Sequence, residues 1–174
     1  MHSLVTEETL IRSCQTGDQQ AFEQLLNLHE ERLLSQATGM CRNPDLAVEL
    51  AHETFIEAWK SIRRFNFSCR FSTWLFSILR NRYRNAVRRS MRKPTVPLLE
   101  EPPAEPVQSS DIDGEKLLAQ IDQLKEKHRE VIQLRFYADA SIEEIATLLG
   151  IAPGTVKSRL HYALLALRKK IEKK

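Results

Sequence analysis

Residues 141–160 read SIEEIATLLGIAPGTVKSRL, and this stretch predicts two helices joined by a tight turn. Ser141 and Glu144 have the spacing of a capping box, which places a helix start at Ser141. Gly150 suits the carboxyl end of that helix, and Pro153 suits the first turn of the next one. A capped helix, a turn containing glycine and a second helix form the helix-turn-helix pattern, which favours DNA binding.

The second helix of this motif has an apolar face and a polar, cationic face. The apolar face is expected to be buried and carries residues at helical spacing, namely Val156, Leu160, Ala163 and Leu167. The opposite face suits the base edges and phosphates of a major groove, and its candidate DNA contacts are Thr155, Lys157, Ser158, Arg159, His161 and Tyr162. A helical hairpin whose charged face is only solvated is the alternative, and the register of cap, turn and proline disfavours it.

A second cationic segment lies nearer the amino terminus. Residues 63–93 hold ten Arg or Lys residues, no Asp or Glu, and six of the twelve aromatic side chains of the chain. Cations neutralise phosphates and aromatic rings stack on unpaired bases, so this composition favours a nucleic-acid partner. An amphipathic helix with a basic solvent face accounts for part of the pattern. A purely structural face would normally intersperse both signs of charge.

Charge is segregated along the whole chain, although the net charge is only +3. Residues 1–60 carry four basic and ten acidic groups, and residues 94–122 carry one basic and seven acidic groups. Residues 123–174 are again basic, with eleven basic and six acidic groups. Alternating blocks of this size indicate that different stretches meet different partners.

The cysteines and the amino terminus indicate the cellular compartment. Cys14, Cys41 and Cys69 are widely spaced and lack a Cys-x-x-Cys pattern, so we expect reduced thiols and neither a zinc site nor a disulfide framework. The first ten residues, MHSLVTEETL, lack the basic and apolar parts of a signal peptide. No run approaches the roughly 20 apolar residues that span a bilayer. The sequence therefore predicts a soluble cytoplasmic protein without membrane insertion.

Helical periodicity dominates the amino-terminal half. Asp18 is a candidate N-cap for a helix whose apolar stripe is Phe22, Leu25, Leu26, Leu33 and Leu34. Residues 42–45, Arg-Asn-Pro-Asp, are expected to end that helix and to start another with the stripe Leu46, Leu50, Phe55, Ile56 and Trp59. A loop over 66–70 precedes a helix from about Ser72 to Arg92, which Pro94 ends.

The carboxyl-terminal half begins with a linker. Residues 94–113 hold five prolines and several acids without periodicity, which predicts an extended tether. Two helices should precede the helix-turn-helix, with the apolar residues Leu117, Leu118, Ile121 and Leu124, then Val131, Ile132, Leu134 and Phe136. We therefore expect an all-α fold of two small helical domains, 1–93 and 115–174, joined by an acidic, proline-rich linker over 94–114.

Four stretches in fixed order resemble the sigma-70 family of bacterial transcription initiation factors, and in particular its extracytoplasmic-function (ECF) group. They are GDQQAFEQLL from residue 17, LAHETFIEAWKSIRRF from residue 50, FSTWLFSILRNRYRNAVRR from residue 71 and LGIAPGTVKSRLHYALLALRK from residue 149. The resemblance spans nearly the whole chain. It implies that residues 1–93 are region 2, which binds polymerase and melts the −10 promoter element, and that 115–174 are region 4, which binds the −35 element as duplex.

The resemblance also implies partners and site residues. Core RNA polymerase would contact an acidic helix face at Glu49, His52, Glu53 and Glu57. The melted non-template strand of the −10 element would contact a base-capturing loop and a basic helix at Phe67, Ser68, Cys69, Arg70, Phe71, Trp74, Asn81, Arg82, Arg84, Asn85, Arg88 and Arg89. The helix-turn-helix residues named above would contact the −35 duplex. Phe71 and Trp74 lie three apart and suit a buried face equally well.

Further implications concern regulation and chemistry. Members of this group are usually held inactive by an anti-sigma factor, so such a partner is expected. The acidic linker resembles a segment that runs through the polymerase cleft, where its carboxylates would imitate RNA, although a solubilising tether explains them equally well. We expect no enzymatic activity, catalytic residue, metal, cofactor or small-molecule substrate, because no nucleophile with its base, metal cluster or phosphate-binding glycine loop is evident.

Two alternatives from other functional classes remain open. A helix-turn-helix regulator that binds duplex DNA alone as a dimer would give a palindromic footprint without polymerase, but it leaves the aromatic and basic segment unexplained. A single-strand or RNA-binding module acting through residues 63–93 would bind oligonucleotides without sequence preference and with a steep dependence on salt.

Overall fold

The computed structural model describes residues 6–92, 117 and 119–172 of the chain. Within those residues the secondary structure is helical, and no strand occurs among them, which confirms the predicted all-α class. The helices are α1 (Glu7–Thr16), α2 (Gln19–Cys41), α3 (Pro44–Ser61), a 3₁₀ turn (Ile62–Arg64), α4 (Phe71–Arg92), α5 (Glu126–Phe136), α6 (Ile142–Leu149) and α7 (Pro153–Glu172). The predicted linker over 94–114 lies outside the described residues, as does Leu118.

Local capping sets the boundaries of the first three helices. Asp18 caps α2 by accepting hydrogen bonds from the backbone N–H groups of Gln20 and Ala21. Asn43 caps α3 in the same way, and Pro44 follows it in the first turn. The predicted N-cap at Asp18 and the predicted break over 42–45 are therefore confirmed. Gly17 ends α1 with φ at 101°, a left-handed conformation that glycine adopts without steric cost.

The helix-turn-helix forms as the sequence predicts. The Ser141 hydroxyl accepts from the Glu144 backbone N–H, and the Glu144 carboxylate accepts from the Ser141 backbone N–H, which completes the capping box at the start of α6. Gly150 ends α6 with φ at 62°, and α7 begins at Pro153. Because each boundary depends on neighbouring residues only, short sequence patterns were sufficient to locate them.

Helices α1 to α4 form an amino-terminal unit around a core that includes Leu25, Leu33, Leu50, Phe76 and Leu79. The predicted stripe of α3 is correct for Leu50 and Phe55 but wrong for Ile56, which is 54 % exposed. Consecutive residues of a helix point about 100° apart, so Ile56 turns to the surface when Phe55 turns inward.

Helices α5 to α7 form a carboxyl-terminal unit, in which Val156, Ala163 and Leu167 of α7 are buried as predicted. The prediction is wrong for Phe136, which is 63 % exposed at the end of α5, and Leu117 is 40 % exposed. No helix in the described ranges is both long and apolar enough to cross a membrane.

The two units pack against each other through one continuous apolar cluster. Residues 137–140, between α5 and α6, enter a notch between α2 and α4 of the amino-terminal unit, and Ala138 and Ala140 are buried there. The Tyr137 ring stacks on the Phe76 ring, with centroids 6.3 Å apart and planes inclined by 10°. The arrangement brings α5 and α6 over part of the basic helix α4.

Candidate nucleic-acid interface

The polar face of α7, which the sequence predicts to contact DNA, is open to solvent. Lys157, Ser158, His161 and Tyr162 are exposed, while Thr155 and Arg159 are half-buried beside them. The His161 and Tyr162 rings meet edge to face, with their centroids 5.6 Å apart. Cationic and hydroxyl groups near a helix amino terminus can donate to phosphates and to base edges, and the helix dipole adds to their attraction for phosphate. The structure therefore brings together the six residues that the sequence predicted here.

Helix α4 presents its polar residues in three directions. One direction carries Asn81, Asn85 and Arg89, which are exposed and lie at the four-residue spacing of one face. All three side chains are exposed, and the Asn81 Oδ1 also accepts a hydrogen bond from Arg80 Nη2 at 3.3 Å. The other predicted contacts, Arg82, Arg84 and Arg88, turn elsewhere.

Arg82 turns toward α3, where the predicted polymerase residues lie. Its Nη2 is 2.5 Å from Glu57 Oε2, and its Nη1 is 3.9 Å from Glu53 Oε2. Residues predicted for two different partners thus form an ion pair that ties α3 to α4. Glu57 and Arg82 are 40 % and 30 % exposed, so solvent screening leaves this pair a modest contribution to stability.

Arg84 and Arg88 turn toward α5, where both approach Glu126 Oε1, at 3.3 Å and 3.7 Å. One turn earlier, Arg80 Nη2 lies 2.6 Å from Glu130 Oε1, and both of these side chains are largely buried. Burial lowers the pKa of Arg80, and the adjacent Glu130 carboxylate opposes that effect. Sequence reasoning did not single out Arg80, although its spacing of four from Arg84 and eight from Arg88 was the available signal.

The loop before α4 holds Phe67 in an unusual conformation. Its φ is 59°, a left-handed value that is an outlier for a bulky side chain, and the residue is 37 % exposed. The Phe65 ring packs on one side at 5.0 Å, and the Arg12 guanidinium lies 4.7 Å from the ring centroid. The Asn66 side chain accepts from the Ser68 backbone N–H at 3.1 Å and closes the turn. Such strain concentrates at ligand-binding sites.

A surface cavity of about 340 Å³ lies beside this loop. It is lined by Phe65, Phe67, Cys69, Arg70 and Phe71, together with Glu7, Glu8 and Ile11 of α1. Sequence reasoning predicted the loop side of this cavity and missed the side that α1 provides through Glu7, Glu8 and Ile11. No local pattern links α1 to residues more than fifty positions further along the chain.

The predicted contacts next to this cavity differ in accessibility. Phe71 is 3 % exposed and is therefore part of the core. Its ring packs on Phe65, Trp74 and His29. Trp74 is half-buried, and Ser68 is exposed. Burial raises the pKa of the Cys69 thiol to about 11, so the thiol is protonated at neutral pH.

Arg70 makes the densest set of polar contacts at this site. Its backbone N–H and its Nε donate to Glu144 Oε1 at 2.7 Å and 3.1 Å, and its Nη2 donates to Glu144 Oε2 at 3.1 Å and to the Asp139 carbonyl oxygen. The Glu144 carboxylate is itself largely buried, yet its hydrogen bonds to Arg70 and Ser141 outweigh the cost of burial and lower its pKa from 4.5 to about 2.

The outer side of α3 has the character of a protein-binding surface. Glu49 and His52 are exposed there. Close by, the exposed Ile56 side chain lines an open apolar cavity of about 340 Å³ together with Phe22, Leu26, Phe55 and Trp59. An apolar groove next to carboxylates suits a partner that presents apolar and basic side chains.

An exposed recognition helix and a separate basic and aromatic element on one all-helical chain define a DNA-binding protein. Comparison with known proteins identifies its family. The family models "Sigma-70 region 2" and "Sigma-70, region 4" match residues 25–93 and 121–169, which together exceed half of the chain. The chain belongs to the sigma-70 family, within its ECF group, and is a transcription initiation factor.

Individual relatives agree with this assignment. The chain is 30 % identical to the ECF RNA polymerase sigma factor SigW of Bacillus subtilis (strain 168), over 92 % of this chain and 94 % of that protein. The structure of CnrH in complex with the cytosolic domain of CnrY has the same fold, with a TM-score of 0.72, 23 % identity and coverage of 96 % of this chain and 97 % of that one. The structure of the sigma factor RpoE in complex with the anti-sigma factor NepR, from Bartonella quintana, gives a TM-score of 0.64 and 27 % identity. The match covers 87 % of this chain and 96 % of that one.

Proposed function

We propose that the two elements of this chain divide promoter recognition between them. The recognition face of α7 binds the −35 element as duplex, through Lys157, Ser158, Arg159, His161, Tyr162 and Thr155. The loop over 66–70 and the outer face of α4 bind the melted −10 strand. The observation that carries the proposal is the exposed Phe67, whose backbone has a positive φ and whose side chain lines a cavity. A flipped base needs a flat partner to stack on and a pocket to enter.

Core RNA polymerase is proposed to dock on the outer side of α3, through Glu49, His52 and Glu53 with the apolar cavity beside Ile56. Glu57 is proposed to act mainly through its ion pair with Arg82. The protein would then work in the cytoplasm and open DNA with binding energy, without catalysis of its own. Because the related RpoE of Bartonella quintana is described in complex with an anti-sigma factor, we propose a regulator of the same kind here.

Run-off transcription tests this function directly. Purified core polymerase would be supplied with a pool of genomic fragments from the source organism, with and without the protein. Discrete transcripts that need the protein are expected, and alignment of their upstream sequences would give both promoter elements. If the protein instead bound the same fragments without polymerase and produced no transcripts, a conventional dimeric regulator would replace the proposal.

Replacement of Lys157 by glutamine is expected to weaken promoter binding by roughly three- to ten-fold, because one phosphate contact is lost, and to reduce the salt slope by about one. The measurement is holoenzyme binding to a mapped promoter over a series of NaCl concentrations. The control is Lys169→Gln, which removes the same charge from an exposed position at the other end of α7. Equal effects of the two variants would contradict a specific role for the face around Lys157.

Replacement of Phe67 by alanine is expected to reduce strand opening by roughly ten-fold, because a stacked base loses about 1–3 kcal/mol. Permanganate reactivity of thymines near the −10 element, measured in the holoenzyme, reports the opening. Phe67→Gly relieves the backbone strain at positive φ but also lacks the ring, whereas Phe67→Tyr keeps the ring. Stacking is supported if the alanine and glycine variants both fail to open the strands while the tyrosine variant opens them. Normal strand opening by the glycine variant would contradict stacking.

A further inference from the structure

We propose that the cavity between α4 and α5 binds a small phosphate-bearing anion. The cavity has a volume of about 410 Å³, within the range of sites for small molecules. Its walls come from the second half of α4, from α5 and from the residues just before α5. The site goes beyond the proposed function, because it shares no residue with the promoter and polymerase surfaces proposed above.

Arginines dominate the wall of the cavity that α4 provides. Arg80, Arg84 and Arg88 lie at the four-residue spacing of one helix face, and Arg129 of α5 completes the set. Arginine presents a planar fork of N–H donors that matches the oxygens of a phosphate in pairs. Four guanidinium groups around one cavity therefore favour a phosphate ligand over an uncharged one.

The carboxylates of the cavity neutralise these arginines only in part. Four arginines face three acidic residues. Glu130 is committed to Arg80, whose Nη2 lies 2.6 Å from Glu130 Oε1. Glu126 offers one oxygen, Oε1, to both Arg84 and Arg88, at 3.3 Å and 3.7 Å. Arg84 and Arg88 are therefore held loosely and keep N–H donors for a further anion.

Two of these arginines carry a buried N–H group that has no acceptor. Among the described side chains, Arg80 Nε and Arg84 Nε are buried without a hydrogen-bond partner. Arg80 is itself only 8 % exposed and lies in the wall of the cavity. A buried donor without an acceptor is unfavourable, and a phosphate oxygen in the cavity would supply the acceptor. These unmet donors point to a ligand as well as to an ion-pair network.

The positions of these donors favour a ligand with more than one phosphate group. Residues one helical turn apart have Cβ atoms about 5–6 Å apart, which is wider than a single phosphate group spans. Oxygens of two linked phosphates can reach both positions. Tyr83 and Val87, both half-buried, form an apolar part of the wall, on which the base or sugar of a nucleotide can lie. The ligand is therefore either a free diphosphate or the diphosphate of a nucleotide.

Isothermal titration calorimetry of the full chain tests the site with two probes, inorganic pyrophosphate and ATP. The titrations are made without divalent metal and near physiological ionic strength, so that weak attraction to the surface is screened. Saturable binding at one site is expected, with a dissociation constant below about 1 mM. Binding of ATP that is at least roughly ten-fold tighter than that of pyrophosphate identifies a nucleotide ligand, and any other ratio identifies a free diphosphate. Absence of binding for both probes would overturn the proposal.

Two variants with opposite expected effects locate the binding. Arg84→Gln removes one guanidinium from the wall and should weaken the binding of pyrophosphate by roughly ten-fold or more, because a hydrogen bond between charged groups is lost. Glu126→Gln removes the carboxylate that competes for Arg84 and Arg88, and should strengthen binding by roughly three- to ten-fold. Damage to the fold cannot produce tighter binding, so Glu126→Gln decides the question if Arg84→Gln fails to fold.

Each variant has a control with the same change of charge at an exposed position outside the cavity. Arg64→Gln is matched to Arg84→Gln, and Glu143→Gln is matched to Glu126→Gln. Both controls should bind pyrophosphate as the wild type does. Equal weakening by Arg64→Gln, or equal strengthening by Glu143→Gln, would show that the anion responds only to net charge and would reject the site.

NMR of the arginine side chains locates the ligand by a separate measurement. In isotope-labelled protein, pyrophosphate should shift the Nε–H signals of Arg80 and Arg84, since these donors gain an acceptor, and should leave the signal of Arg64 in place. Shifts confined to exposed arginines would contradict the proposal. These measurements use neither DNA nor polymerase, so they succeed or fail separately from the proposed function in transcription.

Discussion

Replacement of Phe76 by alanine is expected to lower the free energy of unfolding by about 4 kcal/mol, in the range found for large aromatic side chains deleted from a core. Phe76 is fully buried in α4, where it packs among the helices of the amino-terminal unit and against Tyr137. Urea unfolding followed by circular dichroism would show a midpoint lower by about 2 M, for an m-value near 2 kcal/mol/M.

The chain provides a matched control for this variant. Phe136→Ala makes the same chemical change at a residue that is 63 % exposed. We expect a loss of less than about 1 kcal/mol there, because most of the ring already meets water. Similar losses for the two variants would show that Phe136 is buried in solution and would contradict the arrangement of α5.

Phe136 also illustrates what the sequence could and could not predict about the core. Apolar spacing in α5 placed Val131, Ile132 and Leu134 inside correctly, because many residues of one helix face agree with one another. The last residue of a helix has no further turn to confirm its direction. Phe136 follows Leu134 by two positions, about 200° around the helix, and lies at the surface.

The capping groups were more predictable than the core. Asp18, Ser141 with Glu144, and Gly150 act on backbone groups within three or four residues, so a short window of sequence contains the whole interaction. The same holds for the shared polar face of α7, since its residues lie on consecutive turns of one helix, whereas their contact with DNA stays a prediction. The fold class and the helix-turn-helix were accordingly predictable.

The split of α4 into three directions was not predictable from the sequence. Its arginines share one chemical type, and the segment shows only that they are numerous and have no acidic neighbours. Arg82 is drawn to Glu57, whereas Arg80 and Arg84 meet Glu130 and Glu126, which follow a long proline-rich segment. Pairing across such a distance depends on how the two units dock, and that docking leaves no periodic trace in the sequence.

Glu144 takes part both in a local helix cap and in an ion pair between distant segments of the chain. Its replacement by glutamine is expected to have the second large effect on stability. Glutamine still fits a capping box, so α6 should keep its start, whereas the charged contact with Arg70 is lost. A pKa lowered from 4.5 to about 2 corresponds to about 3 kcal/mol of stabilisation by the folded state. Arg70 is 49 % exposed and is therefore screened by water, so we expect a loss of about 2 kcal/mol at pH 7.

The pH dependence of that loss identifies the carboxylate as its source. Because folding lowers the pKa of Glu144, its contribution is complete above pH 4.5 and disappears as the pH falls toward 2. Wild type and Glu144→Gln should therefore differ most at pH 7 and converge between pH 4.5 and 2 in urea unfolding. Glu143→Gln, one residue earlier and exposed, should follow the wild type throughout. A gap between wild type and Glu144→Gln that stayed constant down to pH 3 would mean that glutamine disturbs the cap itself, and that the bond between Arg70 and Glu144 contributes little to holding the two units together.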